Sequence, residues 1–338
     1  MKPDSFLSKE FLSEFVEKRP TDFFADNFLP WVSLYRFLNS HTDIVLDGEK
    51  EDYASLVQTD GLCREIIRRY YNEEDNVRFD KWGKDSYNSD KPFSYYFLNS
   101  LETDLHKLLI EKGLPTLQNG DDICLQRTTG YEAIPVHDGP IGKLRGWSDL
   151  NNRLLPFHSM IIIDNYLLKE SAPIVNLLKE FFPQNTSRSV KVDVVLIGST
   201  TKYEYEQTDV LANCLNTMKD NFRRVRRECS HYYNRNPPFN CHLAVLEHTG
   251  KFHDRLLFTN AQFLTSGNSF GHYFENNGDV KMKSPTILTL YSYACTHNNT
   301  PWAEIAVEML TNIKKLILEL PSDYCVGSPL ANPIFRNF

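Results

Sequence analysis

The segment FHDRLLFTNAQFLTSGNSF, in the last third of the chain, holds the residue types that could do chemistry. His253 and Arg255 are two residues apart, Asn260 follows five residues after the arginine, and a Ser-Gly-Asn turn ends at Asn268. The apolar runs between these residues predict two adjacent strands, with the polar side chains near the strand rims. A histidine and a cation in such a place can hold a phosphate group.

The chain as a whole has the composition of an ordinary globular protein. Its 338 residues are 41% hydrophobic and 24% charged, which predicts one large domain or two modest ones. The net charge of -7 gives no whole-chain sign of nucleic-acid binding. A local basic face could still bind nucleic acid, so the composition does not exclude that class of ligand.

The cysteines and the N-terminus bear on the cellular compartment. Seven scattered cysteines without a C-x-x-C pair favour reduced thiols rather than a disulfide framework, which predicts a cytoplasmic location. The N-terminus is interrupted by charges every few residues, and no apolar run approaches the length of a membrane span. Neither a secretory signal nor a transmembrane segment is therefore predicted.

The first part of the chain, residues 1–153, is predicted to be a mainly helical region with β-hairpins near residues 121–150. Apolar residues recur at spacings of three and four over residues 5–39, and residues 94–112 also favour a helix. Residues 43–47 are a candidate short strand. The high aromatic content of this part suits either a core or a docking surface for a protein partner.

The second part, residues 154–338, is predicted to be an α/β layered domain with a central, mostly buried sheet and a C-terminal helix. The run MIIIDNYLL begins with a fully apolar strand that ends at Asp164. A helix at residues 172–182 and a second apolar strand at residues 190–198 follow it. Strands that alternate with helices in this way favour a layered α/β architecture.

This order of elements and the spacing of the polar residues resemble the phospholipase D superfamily over about residues 155–295. The signature of that family is His-x-Lys, four residues, Asp, then six residues and a Gly-Ser or Gly-Gly turn. His253, Arg255 and Asn260 stand in the first three places, and the turn at Asn268 stands in the last, without an insertion or deletion. The resemblance implies a phospholipase D-like fold and phosphodiester chemistry that needs neither a metal nor another cofactor.

The resemblance also implies a role for each matching residue. His253 would attack phosphorus and form a covalent phosphohistidine, and Arg255 would bind the non-bridging oxygens. Asn260 stands where the family has an aspartate, and the tyrosyl-DNA phosphodiesterase branch tolerates asparagine there. Arginine in the lysine place is the larger departure, and it resembles phospholipase D-like modules found after microtubule-interacting domains, which bind membranes or acidic ligands. This departure favours binding over cleavage.

Only one copy of the motif is present, whereas active sites of the family are built from two. Neither His106 nor His158 is followed by the remaining motif residues at the right spacing. An active enzyme is therefore predicted to be a homodimer, in which the second histidine acts as general acid.

Several nearby residues could complete a phosphate site. Ser266 and Asn268 could join Arg255 in binding phosphate, or could only shape the turn. Asp164 and Glu247 are candidate acids for orienting the histidine, because a carboxylate on the second imidazole nitrogen raises its basicity. The alternative roles for these two acids are a turn former at a strand end and a surface acid.

An arginine run, NFRRVRR, supplies candidate nucleic-acid contacts. On a helix, Arg223, Arg226 and Arg227 share a face, which could attract a polyanion. A solvated helix end is the alternative, since cations also suit the C-terminal end of the helix dipole.

A zinc site at Cys229, His231, Cys241 and His242 is not predicted. Cys241 and His242 are neighbours on a predicted strand and point to opposite faces, so both could hardly bind one tetrahedral ion.

Three functions remain open at this stage. We expect a degenerate phospholipase D-like protein that binds a phosphate-bearing ligand, preferably nucleic acid, within a larger intracellular assembly such as an antiviral defence system. The first alternative is a metal-independent phosphodiesterase or nuclease that uses His253 in a dimer. The second is a scaffold subunit with a vestigial motif.

Overall fold

The computed structural model describes residues 2–59, 61–72, 77–80, 93–119, 128, 130–136, 146–181, 186–187, 189–233, 239–247, 255–270, 273, 286–297 and 300–336. Within them the chain forms a mixed α/β fold with a five-stranded and an eight-stranded sheet. The predicted α/β class is confirmed. No helix in the described ranges is both long and apolar enough to cross a membrane. The six cysteines of these ranges are free thiols.

The small sheet is parallel throughout and is built from the first 118 residues. Its order is β3-β2-β1-β4-β5, so the chain runs from the central strand to one edge and then to the other. The strands are β1 Asp4–Leu7, β2 Asp43–Asp47, β3 Val77–Asp80, β4 Ser94–Leu98 and β5 Thr116–Gln118. The accompanying helices are α1 Lys9–Glu17, α2 Phe28–Arg36, α3 Ala54–Thr59, α4 Gly61–Tyr71 and α5 Thr103–Glu111.

The small sheet is a feature that the sequence does not predict, although helical residues outnumber strand residues in this region. Of its five strands the sequence predicts only Asp43–Asp47, and the helix predicted over residues 94–112 is wrong in its first part, where Ser94–Leu98 is a strand. Both β1 and β4 are buried along their whole length, so they lack the alternation of apolar and polar residues that identifies a strand.

The large sheet contains the predicted strand, helix, strand order. Its order is β15-β9-β8-β7-β10-β11-β12-β6, with β7, β8 and β9 parallel and the other neighbours antiparallel. Its strands are β6 Tyr131–Val136, β7 Ser159–Ile163, β8 Asp193–Ser199, β9 Asn240–Leu246, β10 Arg255–Thr259, β11 Gln262–Ser266, β12 Thr286–Ser292 and β15 Cys325–Val326. A separate pair is formed by β13 Thr296–His297 and β14 Thr300–Pro301.

The helices of this part are α6 Trp147–Asn151, α7 Ser171–Phe181, α8 Lys202–Glu206, α9 Thr208–Tyr233, α10 Trp302–Glu319 and α11 Pro333–Arg336. The predicted hairpins near residues 121–150 lie mostly outside the described residues. The strand described there, β6, pairs with β12 at the edge of the large sheet, although it precedes residue 154 in the chain.

Both faces of the large sheet are covered. Alternate side chains of β7 divide between two apolar clusters: Ile161 and Ile163 join a core shared with α10 and the small sheet, while Met160 and Ile162 join a core beneath α7 and α9. Because the faces are closed, polar chemistry can reach solvent only where the strands end.

Candidate phosphate-binding site

The start of β10 lies at the carboxyl edge of the parallel strands of the large sheet. Leu256 pairs with Ile163 in the antiparallel β7–β10 pair, so Arg255 comes beside Asp164, and Arg255 also pairs with Ser266 of β11. The parallel strands β7, β8 and β9 present their carboxyl ends at this edge, whereas β10 runs antiparallel to β7 and begins there. In open α/β sheets, ligands commonly bind outside the carboxyl ends of the parallel strands.

Arg255 is half-buried and is held by two groups at this edge. Its Nη1 donates to the carbonyl oxygen of Gly267 at 3.1 Å, and its guanidinium carbon lies 5.6 Å from the ring centroid of Tyr166. Burial raises the pKa of Tyr273, whereas hydrogen bonds with Ser266 and the positive charge of Arg255 act in the opposite direction. The guanidinium is thus held close to the phenol ring of Tyr166 and the turn at Gly267 rather than inside an apolar core.

The two other predicted phosphate ligands shape the turn after β11. The Ser266 hydroxyl is buried, donates to the carbonyl oxygen of Asn268 at 2.5 Å and lies 2.5 Å from the Tyr273 hydroxyl. The backbone N–H of Asn268 donates back to the Ser266 hydroxyl at 3.1 Å, and its side-chain amide donates to Thr286 at 3.4 Å. The structure therefore gives Ser266 a turn-forming role, as its alternative interpretation proposes.

Asp164 connects the end of β7 to the same turn. Only 1% of the residue is exposed, and one carboxylate oxygen accepts from the Ser269 hydroxyl and from the backbone N–H of Phe270, both at 2.7 Å. The other oxygen accepts from the backbone N–H of Tyr166 at 3.0 Å. Three hydrogen bonds thus commit the carboxylate to positioning the segments on either side of Arg255.

Glu247, the other candidate acid, follows β9 and is half-buried. A hydrogen bond to Glu247 raises the pKa of the exposed Tyr205 phenol, so the acid faces α8. Two strands, β8 and β7, separate β9 from β10. His253 lies outside the described residues, as does any contact between it and either acid.

Asn260 lies at the opposite end of β10 from Arg255. Five residues of extended chain separate the two by about 17 Å. The Asn260 side-chain oxygen accepts from the backbone N–H of His158 at 2.9 Å, and its amide donates to the carbonyl oxygen of Gly113 at 3.2 Å. Its own carbonyl oxygen accepts from the N–H of Phe93 at 2.9 Å. The structure does not bring Asn260 to the Arg255 edge; it places the residue at a junction between the two sheets.

The arginine run lies on the solvent side of α9. Arg223 pairs with Asp220 at 2.6 Å, and Arg226 and Arg227 are exposed. The helix runs from the end of β8 toward the start of β9, so successive arginines lie progressively farther from the carboxyl edge. Arg226 and Arg227 could add to a basic surface but are not part of the Arg255 site.

Neither of the two histidines considered as a second motif copy lies at this edge. His158 immediately precedes β7 and so lies at the other end of that strand, and His106 contacts Thr116 from α5 of the small sheet.

The metal-ligand types that the sequence brings together also separate in space. Cys241 is buried in the core beneath α9, whereas the Nδ1 of His242 accepts from the backbone N–H of Ser328. The side chain of His231 lies outside the described residues. No group of three His, Cys, Asp or Glu side chains suited to a metal ion occurs in the described ranges.

The carboxyl edge of the small sheet, where the order of its parallel strands reverses between β1 and β4, is acidic. Glu102 accepts from the Ser8 hydroxyl at 3.1 Å and from the backbone N–H of Asn99 at 2.8 Å. Burial raises the pKa of Glu102, those hydrogen bonds lower it, and the charges of Glu10 and Asp47 raise it further. Such an edge repels phosphate, so the cationic Arg255 edge is the better candidate.

Sequence reasoning missed two residues of the site, Tyr166 and Lys169. Both lie just beyond β7, and the Lys169 ammonium is 5.4 Å from the centroid of the Tyr166 ring. Their signal in the sequence is weak, because an aromatic and a lysine after a strand occur in many turns. No protein-family model matches the chain, and no curated protein matches it either.

Proposed function

We propose that the Arg255 edge of the large sheet binds a phosphate-bearing ligand and that nucleic acid is the ligand class. The observation that carries the proposal is the position of the guanidinium: it is held at the carboxyl edge of the parallel strands, against the turn at Gly267 and the Tyr166 ring. Arginine presents a planar set of donors that fits phosphate oxygens and remains charged at any physiological pH.

A second cation strengthens the local field. Lys169 and Arg255 both lie within 5.6 Å of the centroid of the Tyr166 ring, so a ligand at this ring meets two positive charges. Lys169 also lies 3.5 Å from Glu204, which offsets part of its charge. Arg255 is therefore the principal phosphate contact, and Lys169 is an auxiliary one.

The other motif residues support the site indirectly. Asp164 and Ser266 hold the turn that positions Gly267, whose carbonyl oxygen holds the guanidinium. Such an arrangement, with one cation at the binding position and other residues holding the turn, is compatible with a phospholipase D-like domain in which Arg255 replaces the motif lysine. Asn260 belongs to the framework in this proposal.

The test is the affinity for a fluorescently labelled single-stranded oligonucleotide, measured by anisotropy at low salt. Arg255→Ala should weaken binding by about 10- to 100-fold, because a charge-assisted hydrogen bond contributes roughly 1.5–3 kcal/mol. Arg255→Lys should retain part of the affinity through its charge. The matched control is Arg227→Ala, an exposed arginine away from the edge, whose effect should be a few-fold at most. Equal losses in Arg255→Ala and Arg227→Ala would contradict a localised site.

The same oligonucleotide separates binding from cleavage. Hydrolysis is the second candidate function, since His253 precedes Arg255 by two residues in the register of the motif. Product formation that persists in chelator and disappears in His253→Ala would establish the enzyme. If the strand remains intact after prolonged incubation and its binding depends on Arg255, the protein binds the strand without cleaving it.

A further inference from the structure

Tyr166 is an exposed aromatic residue that contacts Arg255. It is 43% exposed, whereas the neighbouring aromatic side chains Trp147, Phe270 and Tyr273 are buried. The ring is in cation–π contact with Lys169 and Arg255, and the part of it that remains exposed is accessible to a ligand. Its position suits a ligand that carries a flat group next to a phosphate.

The backbone of Tyr166 is held in place on both sides. Its N–H donates to the buried carboxylate of Asp164, and its carbonyl oxygen accepts from the N–H of Lys169 at 3.1 Å. Asp164 in turn holds the turn beside Arg255. The ring and the guanidinium are therefore parts of one hydrogen-bonded unit, and binding there requires little ordering of the backbone.

We infer that Tyr166 is a stacking platform for a nucleobase, so that the Arg255 site takes single-stranded nucleic acid rather than phosphate alone. This inference rests on the proposed function, because it assigns the phosphate to Arg255. Bases stack on aromatic rings with little dependence on sequence, and every unpaired base has a free face. Bases within a duplex are stacked on one another, so a single exposed ring favours the single strand.

The arrangement of charges agrees with one nucleotide unit. Two cations lie within cation–π distance of the ring, Lys169 at 5.4 Å and Arg255 at 5.6 Å, so a phosphate next to a base at this ring would lie near positive charge. A free phosphate would use the cations and leave the ring exposed. Base stacking therefore distinguishes the two ligands.

The experiment compares two labelled strands of equal length and equal phosphate number, one with bases and one abasic throughout. The unaltered protein should bind the base-bearing strand roughly tenfold more tightly, which corresponds to the lower part of the range for stacking on one aromatic side chain. Tyr166→Ala should reduce that ratio to near one, and Tyr166→Phe should preserve it. Tyr131→Ala is the matched control, since Tyr131 is 65% exposed on β6 at the far edge of the sheet.

The possible failures can be told apart. If the unaltered protein binds both strands equally while Arg255→Ala weakens both, the phosphate site stands and base stacking is refuted. If it binds neither strand, the proposed function fails and the stacking role fails with it. A ratio that Tyr131→Ala lowers as much as Tyr166→Ala does would also refute the assignment. Circular dichroism and the melting temperature of each variant verify that the fold is kept.

Discussion

The two ends of strand β10 carry polar residues of the same sequence motif in opposite environments. At the Arg255 end, the guanidinium and the Tyr166 ring reach solvent between two strand ends. At the Asn260 end, the side chain is 4% exposed and is hydrogen-bonded to chain segments from both sheets. We refer to these as the open end and the closed end.

The comparison shows that spacing along the motif does not tell which residues face a ligand and which are buried and hold the fold together. At the closed end the hairpin carbonyl groups also have partners: the Tyr95 hydroxyl donates to Ala261 at 2.6 Å, and the Tyr293 hydroxyl donates to Thr259 at 3.0 Å. Satisfied, buried groups stabilise the fold and leave no capacity for a ligand. The open end keeps a charge and a ring in reach of solvent, so function is expected there.

The largest effect is expected from Asn260→Ala at the closed end. The substitution leaves the part-buried N–H of His158, the buried N–H of Ser159 and the buried carbonyl oxygen of Gly113 without these partners. Unsatisfied buried groups cost about 1–3 kcal/mol each, so we expect the free energy of unfolding to fall by about 3 kcal/mol. Urea denaturation followed by circular dichroism measures it.

The matched substitution at the open end is Arg255→Ala. It removes the hydrogen bond to Gly267 and the contact with the Tyr166 ring from a half-buried side chain, so the expected loss of stability is about 1 kcal/mol, smaller than that of Asn260→Ala. Asn260→Ala, by contrast, should bind the oligonucleotide as tightly as the unaltered protein does, when the affinity is calculated for the folded fraction. If Arg255→Ala destabilised the protein as much as Asn260→Ala, the distinction between the ends would be lost.

The contacts at the open end are easier to predict from the sequence than those at the closed end, and the reason is physical. Arg255 and Ser266 are brought together by a hairpin with a two-residue connection, Asn260 and Ala261, which local sequence predicts. The partners of Asn260, by contrast, are 102 and 147 residues away, at His158 and Gly113. Contacts at such separations leave no periodic signal along the chain.

The same contrast explains the fold predictions. The strands β7 and β8 are five and seven residues long, are mainly apolar and are separated by a clear helix, so their pattern identifies them. Leu7, Phe11 and Phe15 follow one another at a helical spacing of four residues, yet Leu7 lies on the four-residue strand β1 while the other two lie on α1. When a short strand directly precedes a helix, its apolar residues can continue the helical spacing. The sequence pattern then does not reveal the strand or the small sheet to which it belongs.

A smaller effect is expected from Tyr95→Phe, which removes one hydrogen bond at the closed end. The carbonyl oxygen of Ala261 would lose its buried partner, and stability should fall by about 1–2 kcal/mol. Tyr293→Phe, which affects the neighbouring carbonyl of Thr259, should cost a similar amount. Thermal melting of the two variants and of Tyr131→Phe, an exposed control, measures this; equal melting temperatures for all three would show that the closed end does not depend on these bonds.

The closed end also predicts a loss of stability at alkaline pH. Burial raises the pKa of Tyr95 and of Tyr293 above the ordinary value of 10.0. The folded state therefore holds these protons more tightly than the unfolded state, so the stability they contribute is complete below pH 10 and is lost as the pH rises above it. Unfolding free energies measured between pH 9 and 11 should fall less steeply in Tyr95→Phe than in the unaltered protein. An identical slope would contradict the contribution of this phenol.

The smallest effect concerns Tyr273 at the open end. Burial raises its pKa, and the charge of Arg255 opposes that increase. Arg255→Ala removes the opposing charge, so the pKa of Tyr273 should rise further, and solvent near the site keeps the effect small. The measurement is the phenolate absorbance during an alkaline titration, with Tyr273→Phe subtracted to isolate this residue. Arg255→Lys, which keeps the charge, should leave the titration nearly unchanged. If Arg255→Ala and Arg255→Lys shifted Tyr273 equally, packing rather than charge would connect the two residues, and the open end would have to be described as a shaped turn instead of a cationic site.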